Sequence, residues 1–164
     1  MGLSNLGIFH TVIGIGAIVA AFVSYIRFGK IDLGKSSGTI YFYGTLITSL
    51  TALGISKHGG FNPGHFFSIL ILILVLAAYF LHARKKGTNR SRYFENFSLS
   101  FSFFLSWLPT INETFTRVPV GNPLAKDISD PLIGKTLLVI LALFIWGSVF
   151  QFLKQRKMNR AAQL

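Results

Sequence analysis

The chain contains no cysteine, which excludes disulfides, thiolate metal sites and cysteine nucleophiles at once. Charge is nearly as scarce. Charged residues make up 13% of the 164 positions, against roughly 25% in an ordinary soluble domain, and only five are acidic. A soluble fold with so few charges could not cover its surface, so much of that surface is expected to meet lipid. Lys and Arg are missing from Met1 to Ile26. With no basic leader, and an apolar run longer than the roughly 7–15 residues of a signal core, this stretch reads as a retained helix. Leu6 stands where an N-myristoylation signal needs Ser or Thr.

What the chain does have is hydrophobic length, with 51% hydrophobic residues. A helix needs about 20 mostly apolar residues to cross a hydrocarbon layer of about 30 Å. Five stretches qualify on this reading: 6–26, 37–56, 61–82, 93–112 and 134–153. The fourth carries Glu95 and the serines Ser98, Ser100, Ser102 and Ser106, while its phenylalanines and Trp107 favour insertion. The expected fold class is all-α, a polytopic bundle of five transmembrane helices forming one domain over 1–164. The stretch 113–130, with Pro119, Gly121 and Pro123, is expected as an ordered external loop.

The net charge of +11 raises the question of nucleic acid. The basic residues lie in short clusters between apolar runs, so lipid headgroups are the expected anionic partner and nucleic acid is not. Twelve of the sixteen Lys and Arg fall on one side of the expected topology: Arg27, Lys30 and Lys35, then Arg84, Lys85, Lys86, Arg90 and Arg92, then Lys154, Arg156, Lys157 and Arg160. By the positive-inside rule that side is cytoplasmic, which puts the N-terminus outside and the C-terminus inside a bacterial inner membrane.

Several catalytic signals fail. Gly134-Lys135-Thr136 lacks the upstream glycine of a phosphate-binding loop, since Ser129 stands there. No Gly-x-Ser-x-Gly elbow and no His-Glu-x-x-His helix occurs. Of three Asn-x-Ser/Thr matches, at Asn89, Asn96 and Asn112, two fall inside the membrane or on its cytoplasmic side, so none is diagnostic.

Polar and small residues instead form helical stripes, at three- and four-residue steps that share a face. The first span carries Gly7, His10, Gly14, Ala17 and Ala21. The second carries Tyr41, Gly44, Thr45, Thr48 and Thr51, and the fourth Ser98, Ser102, Ser106, Pro109 and Glu113. Such stripes serve either as hydrogen-bonded packing or as the lining of a narrow polar path. Three of four histidines, His10, His58 and His65, fall near the outer membrane face together with Glu113. Imidazole with carboxylate suits a divalent metal, and His10 with His65 suits the two axial positions of haem b. Each histidine can equally be satisfied by backbone or headgroups. His82 lies at the other end with no histidine partner, which argues against a two-haem conduit.

Two stretches, Lys35–Leu70 (KSSGTIYFYGTLITSLTALGISKHGGFNPGHFFSIL) and Thr110–Leu124 (TINETFTRVPVGNPL), together resemble a family of small bacterial integral membrane proteins of unknown function. That family is distantly similar in layout to cytochrome b-type helical bundles. The resemblance spans most of the second to fourth segments and implies correspondence at Gly59, Gly60, His65, Glu113, Thr114, Arg117 and Pro119. Where members carry a His-Arg pair before the glycine of the second helix, this chain has Tyr41 and Phe42.

Three functional classes follow. One is a redox or cofactor module, with His10 and His65 as ligands and Glu113 or Arg117 behind them. Another is a homo-oligomeric transporter or channel lined by Thr45, Thr48, Ser102, Ser106 and Glu113. The third is a non-catalytic subunit or assembly factor of a larger membrane complex.

Overall fold

The computed structural model describes residues 4–55, 60–84 and 88–161. Within them the chain forms five α-helices and no strand. Each helix start has a local cause. Ser4 accepts a hydrogen bond from the Gly7 N–H and opens α1 (Asn5–Phe28), which stops at Gly29, a residue in the left-handed region (φ 72°). The α1–α2 connection folds back on itself. Ser24 donates to the Lys30 carbonyl and accepts from the Asp32 N–H, burying Ile31 before α2 (Ser36–Leu53) begins. Asn62 caps α3 (Pro63–Ala83) by accepting from the His65 N–H, and Pro63 supplies a first residue with φ already set. Thr88 caps α4 (Asn89–Phe115), and Asp130 accepts from the Leu132 N–H at the start of α5 (Pro131–Ala161).

Consecutive helices run antiparallel. Leu6 and Ala17 of α1 face Gly54 and Gly44 of α2, and His82 of α3 meets Glu95 of α4. Ser100 of α4 meets Gln151 of α5. The bundle therefore has two chemically different ends. The basic end gathers the α1–α2 turn, the start of α4 and the tail of α5, with Arg27, Lys30, Arg90, Arg92, Lys154 and Arg156 among its cations. The opposite end holds the last turn of α2, the cap of α3, and residues 116–130. That connection is anchored by the Ala125 N–H, which donates to the Phe115 carbonyl, and by Ala125 packing with Ile111 and Ile133.

The distribution of polarity is inverted relative to a water-soluble fold. Ser24, Ser49, Ser68, Ser98, Ser100 and Ser102 are buried, as are Glu95, Asn96, Gln151 and Gln155. Ile26 and Trp146 stand outside at 83% and 72% exposure, with many other large apolar side chains. Burial of polar groups and display of apolar ones suits an apolar medium, where the hydrophobic penalty of exposure disappears.

Three helices, α1, α3 and α5, are long and apolar enough to cross a membrane, rather than the five expected from sequence. The two that fall short do so for a shared reason. In α2, Ser, Thr, Gly and Tyr dilute the apolar residues, and in α4, Asn, Ser, Glu and Thr do so. In both, much of this polar content points inward: Gly38, Tyr41, Thr45 and Ser49 of α2 are buried, and so are Glu95, Asn96, Ser98, Ser100 and Ser102 of α4. Helices α4 and α5 outrun the expected boundaries, because charged flanks such as Arg90 and Lys154–Arg160 continue the helix beyond the apolar stretch, whereas α2 ends at Leu53 and α3 begins at Pro63, inside theirs.

Candidate functional site

The sequence-singled histidines His10 and His65 converge on one place. The His10 Nδ1 lies 3.2 Å from the Thr51 Oγ1, and the His65 Nε2 lies 3.1 Å from the Ile55 carbonyl. Thr51 and Ile55 are one helical turn apart at the C-terminal end of α2, so a histidine from α1 and another from α3 bracket the same helix end. The negative pole of the α2 dipole lies there, which favours donors and cations. His65 is buried and held on its backbone side by the Asn62 cap; the ring of Phe61 meets it edge-on.

Hydrogen-bond directions assign the tautomers. A carbonyl can only accept, so the neutral His65 carries its proton on Nε2 and leaves Nδ1 with a free lone pair. The single hydroxyl hydrogen of Thr51 is directed to the carbonyls of Ile47 and Thr48. Its oxygen therefore accepts from His10, which donates through Nδ1; the Thr48 backbone is a further partner of the ring, and no side-chain hydrogen bond uses Nε2 among the described residues. Both rings are thus oriented through one nitrogen with the other available, as in histidines that bind metals, where a second acceptor fixes the ring.

The remaining candidates fall elsewhere. Glu113 pairs with Arg117 in the turn just past the end of α4, on the exposed surface of the same bundle end. No hydrogen bond joins it to either histidine among the described residues. His58 lies outside the described residues. Among those described, no group of three His, Cys, Asp or Glu residues is placed to hold a metal ion.

The hydroxyl stripes meet at Tyr41. Its OH lies 2.8 Å from the Ser102 Oγ, and since Ser102 donates to the Leu99 carbonyl, Tyr41 is the donor. Thr45 and Ser106 flank the same phenol. Ser106 and Thr48 direct their hydrogens to carbonyls one turn back, at Ser102 and Gly44, and are satisfied within their own helices.

Two features escaped the sequence reading. His82 has a partner after all, a carboxylate: its Nδ1 lies 2.8 Å from Glu95 Oε1, and Glu95 is only 8% exposed. The buried acid that weakened the case for the fourth span has the α3 histidine as its hydrogen-bond partner. The second is a polar ladder between α4 and α5. Tyr25 donates to Ser100, and Ser100 to Gln151; Asn96 donates to Gln155, and Gln155 to Asn159. The four-residue spacing of Gln151, Gln155 and Asn159 against Asn96 and Ser100 was the available signal.

No known protein family, curated protein or solved structure matches the chain.

Proposed function

We propose that the chain is a five-span protein of a bacterial cytoplasmic membrane, N-terminus outside and C-terminus inside. In this reading it carries a redox or metal cofactor near the outer face, bound through His10 Nε2 and His65 Nδ1. The five-span reading draws support from the inward-facing polar residues of α2 and α4, which leave apolar surface for lipid. The orientation draws support from the cations gathered at one bundle end.

One observation carries the cofactor reading. Two imidazoles on separate helices are each tied through one nitrogen at or just past the C-terminal end of α2, and among the described residues no hydrogen bond occupies the other nitrogen. Two histidines suffice for the axial positions of haem b, whereas a divalent ion wants three or four protein donors, so haem is the favoured occupant. The test is an absorption spectrum with metal analysis of the purified protein. A Soret band that His10→Ala and His65→Ala each abolish is expected. Protein that is colourless and metal-free, and that takes up neither haem nor zinc, would overturn the reading.

A non-catalytic role in a larger complex or a homo-oligomer is the second reading, favoured by α5. Only 6% of its most apolar stretch is buried, and it packs chiefly on α4. Stable co-purification of partner subunits after mild solubilisation would support that role; a lone monomer with bound haem would count against it.

A further inference from the structure

We propose that the groove between α4 and α5 at the basic end of the bundle holds one phosphatidylglycerol-type anionic phospholipid. It rests on the membrane-spanning reading and is independent of the histidine site. The groove has a volume of about 230 Å³ and is walled by Tyr93, Phe94, Phe97 and Phe152. Asn96 and Ser148 also line it, and both present buried polar atoms without a hydrogen-bond partner: Asn96 Oδ1 and Ser148 Oγ. Asn96 is only 7% exposed. Its Nδ2 donates to Gln155, whose own Nε2 donates onward to Asn159, so turning over the Asn96 amide alone would break the ladder. A buried acceptor left unpaired is unfavourable, and a ligand that donates to it removes the penalty.

Three properties of the groove choose the occupant. The aromatic walls suit an acyl chain. The orphan Asn96 oxygen asks for a hydroxyl donor, while the Ser148 hydroxyl can donate to an ester carbonyl. One turn toward the basic end, Arg90 continues the face of Tyr93 and Phe94, and Arg156 continues that of Phe152; both are exposed. None of the groove's described lining residues is acidic, and Glu95, next to Asn96 in sequence, is paired with His82 of α3. A lipid with one phosphate, a hydroxyl-bearing head and acyl chains answers all three, and basic pockets between helices on a cytoplasmic face are where anionic headgroups bind.

The experiment exposes the full chain in detergent to an equimolar mixture of phosphatidylglycerol, phosphatidic acid and phosphatidylcholine, and reads retained lipid by native mass spectrometry. One phosphatidylglycerol is expected to remain, preferred over phosphatidylcholine by roughly tenfold or more. Arg90→Gln and Arg156→Gln should each reduce that preference roughly fivefold. Asn96→Leu, or the milder Asn96→Ala if the first misfolds, should erase discrimination against phosphatidic acid, which is anionic but lacks the glycerol head, whereas Ser148→Ala, which loses a donor to an ester carbonyl common to all three lipids, should weaken their retention alike. Lys126→Gln, at the opposite end, should change nothing. Equal retention of all three lipids, or a preference untouched by the arginine substitutions, overturns the groove while leaving the cofactor spectrum unaffected. A chain that stays soluble without detergent overturns the spanning reading itself.

Discussion

Helices α1 and α2 are held together by the absence of side chains, whereas α4 and α5 are held together by side chains that must all find partners. At the first interface Gly44 lies against Ala17, so close that a Cβ on Gly44 would stand 2.9 Å from the Ala17 Cβ. At the second, Ser100, Asn96, Gln151, Gln155 and Asn159 meet through hydrogen bonds of 2.7–3.2 Å. Both are recognised ways to join helices where lipid removes the hydrophobic drive. They fail differently. Close packing is complete once backbones touch, but a polar ladder is only as good as its last partner. Among the described residues, Asn96 Oδ1, Asn112 Oδ1, Ser148 Oγ and Asn159 Nδ2 are left over on α4 and α5, against Ser37 Oγ on α2. The polar pair of helices has the greater capacity for something else.

The difference can be broken at the tight side first. Gly44→Val should destabilise the bundle by about 1–3 kcal/mol through overpacking, and Ala17→Gly in the same chain should recover part of it. Thermal unfolding in detergent measures both. A neutral Gly44→Val would mean that the two helices are not locked by close approach.

A smaller effect is expected on the polar side. Gln151→Leu deletes the acceptor of Ser100 at the α4/α5 ladder, and hydrogen bonds between membrane helices average only about 0.6 kcal/mol, with about 1.7 as an upper case. A loss larger than that of Gly44→Val in the same assay would reverse the ranking of the two interfaces.

The smallest effect concerns how α5 is started. Hydrogen bonds from the Leu132 N–H and then the Lys126 N–H hold the Asp130 carboxyl below the usual carboxylate range. A carboxylate with a depressed folded value contributes stability above its unfolded pKa of about 3.9 and loses it as pH falls through the folded value. Asp130 is fully solvent-exposed, so the contribution is slight. Asp130→Asn should lower the melting temperature by a small margin at pH 7 and by none once the pH is well below 4. A gap that persists at low pH would show that the cap acts without its charge.

Much of the architecture is legible in composition. Helix count and order follow from apolar runs separated by basic turns, and the stripe Gly7, His10, Gly14 and Ala17 of α1 does face α2, through the His10–Thr51 bond and the Gly14–Thr48 and Ala17–Gly44 approaches. Hydropathy was less informative for α2 and α4, because it averages over a helix while burial acts on one face. The candidate site was half legible. His10 and His65 were marked by residue type and depth, but the element that unites them, the last turn of α2, carries no chemical flag beyond Thr51. Glu113 was grouped with them by depth alone, and the structure pairs it with Arg117 in the turn just past the end of its helix.

By itself the sequence determined where the apolar segments lie, where the cations cluster, and which polar residues share a helix face. These are properties of single segments, governed by transfer free energy and the 3.6-residue period. Only the tertiary structure decided the partners: Glu95 with His82, Tyr41 with Ser102, both histidines with one end of α2, and a groove at α4 and α5 with unpaired polar atoms. A partner depends on how neighbouring helices are rotated about their axes and how closely they approach. That is set by the sum of contacts along the whole interface rather than by any one residue in it.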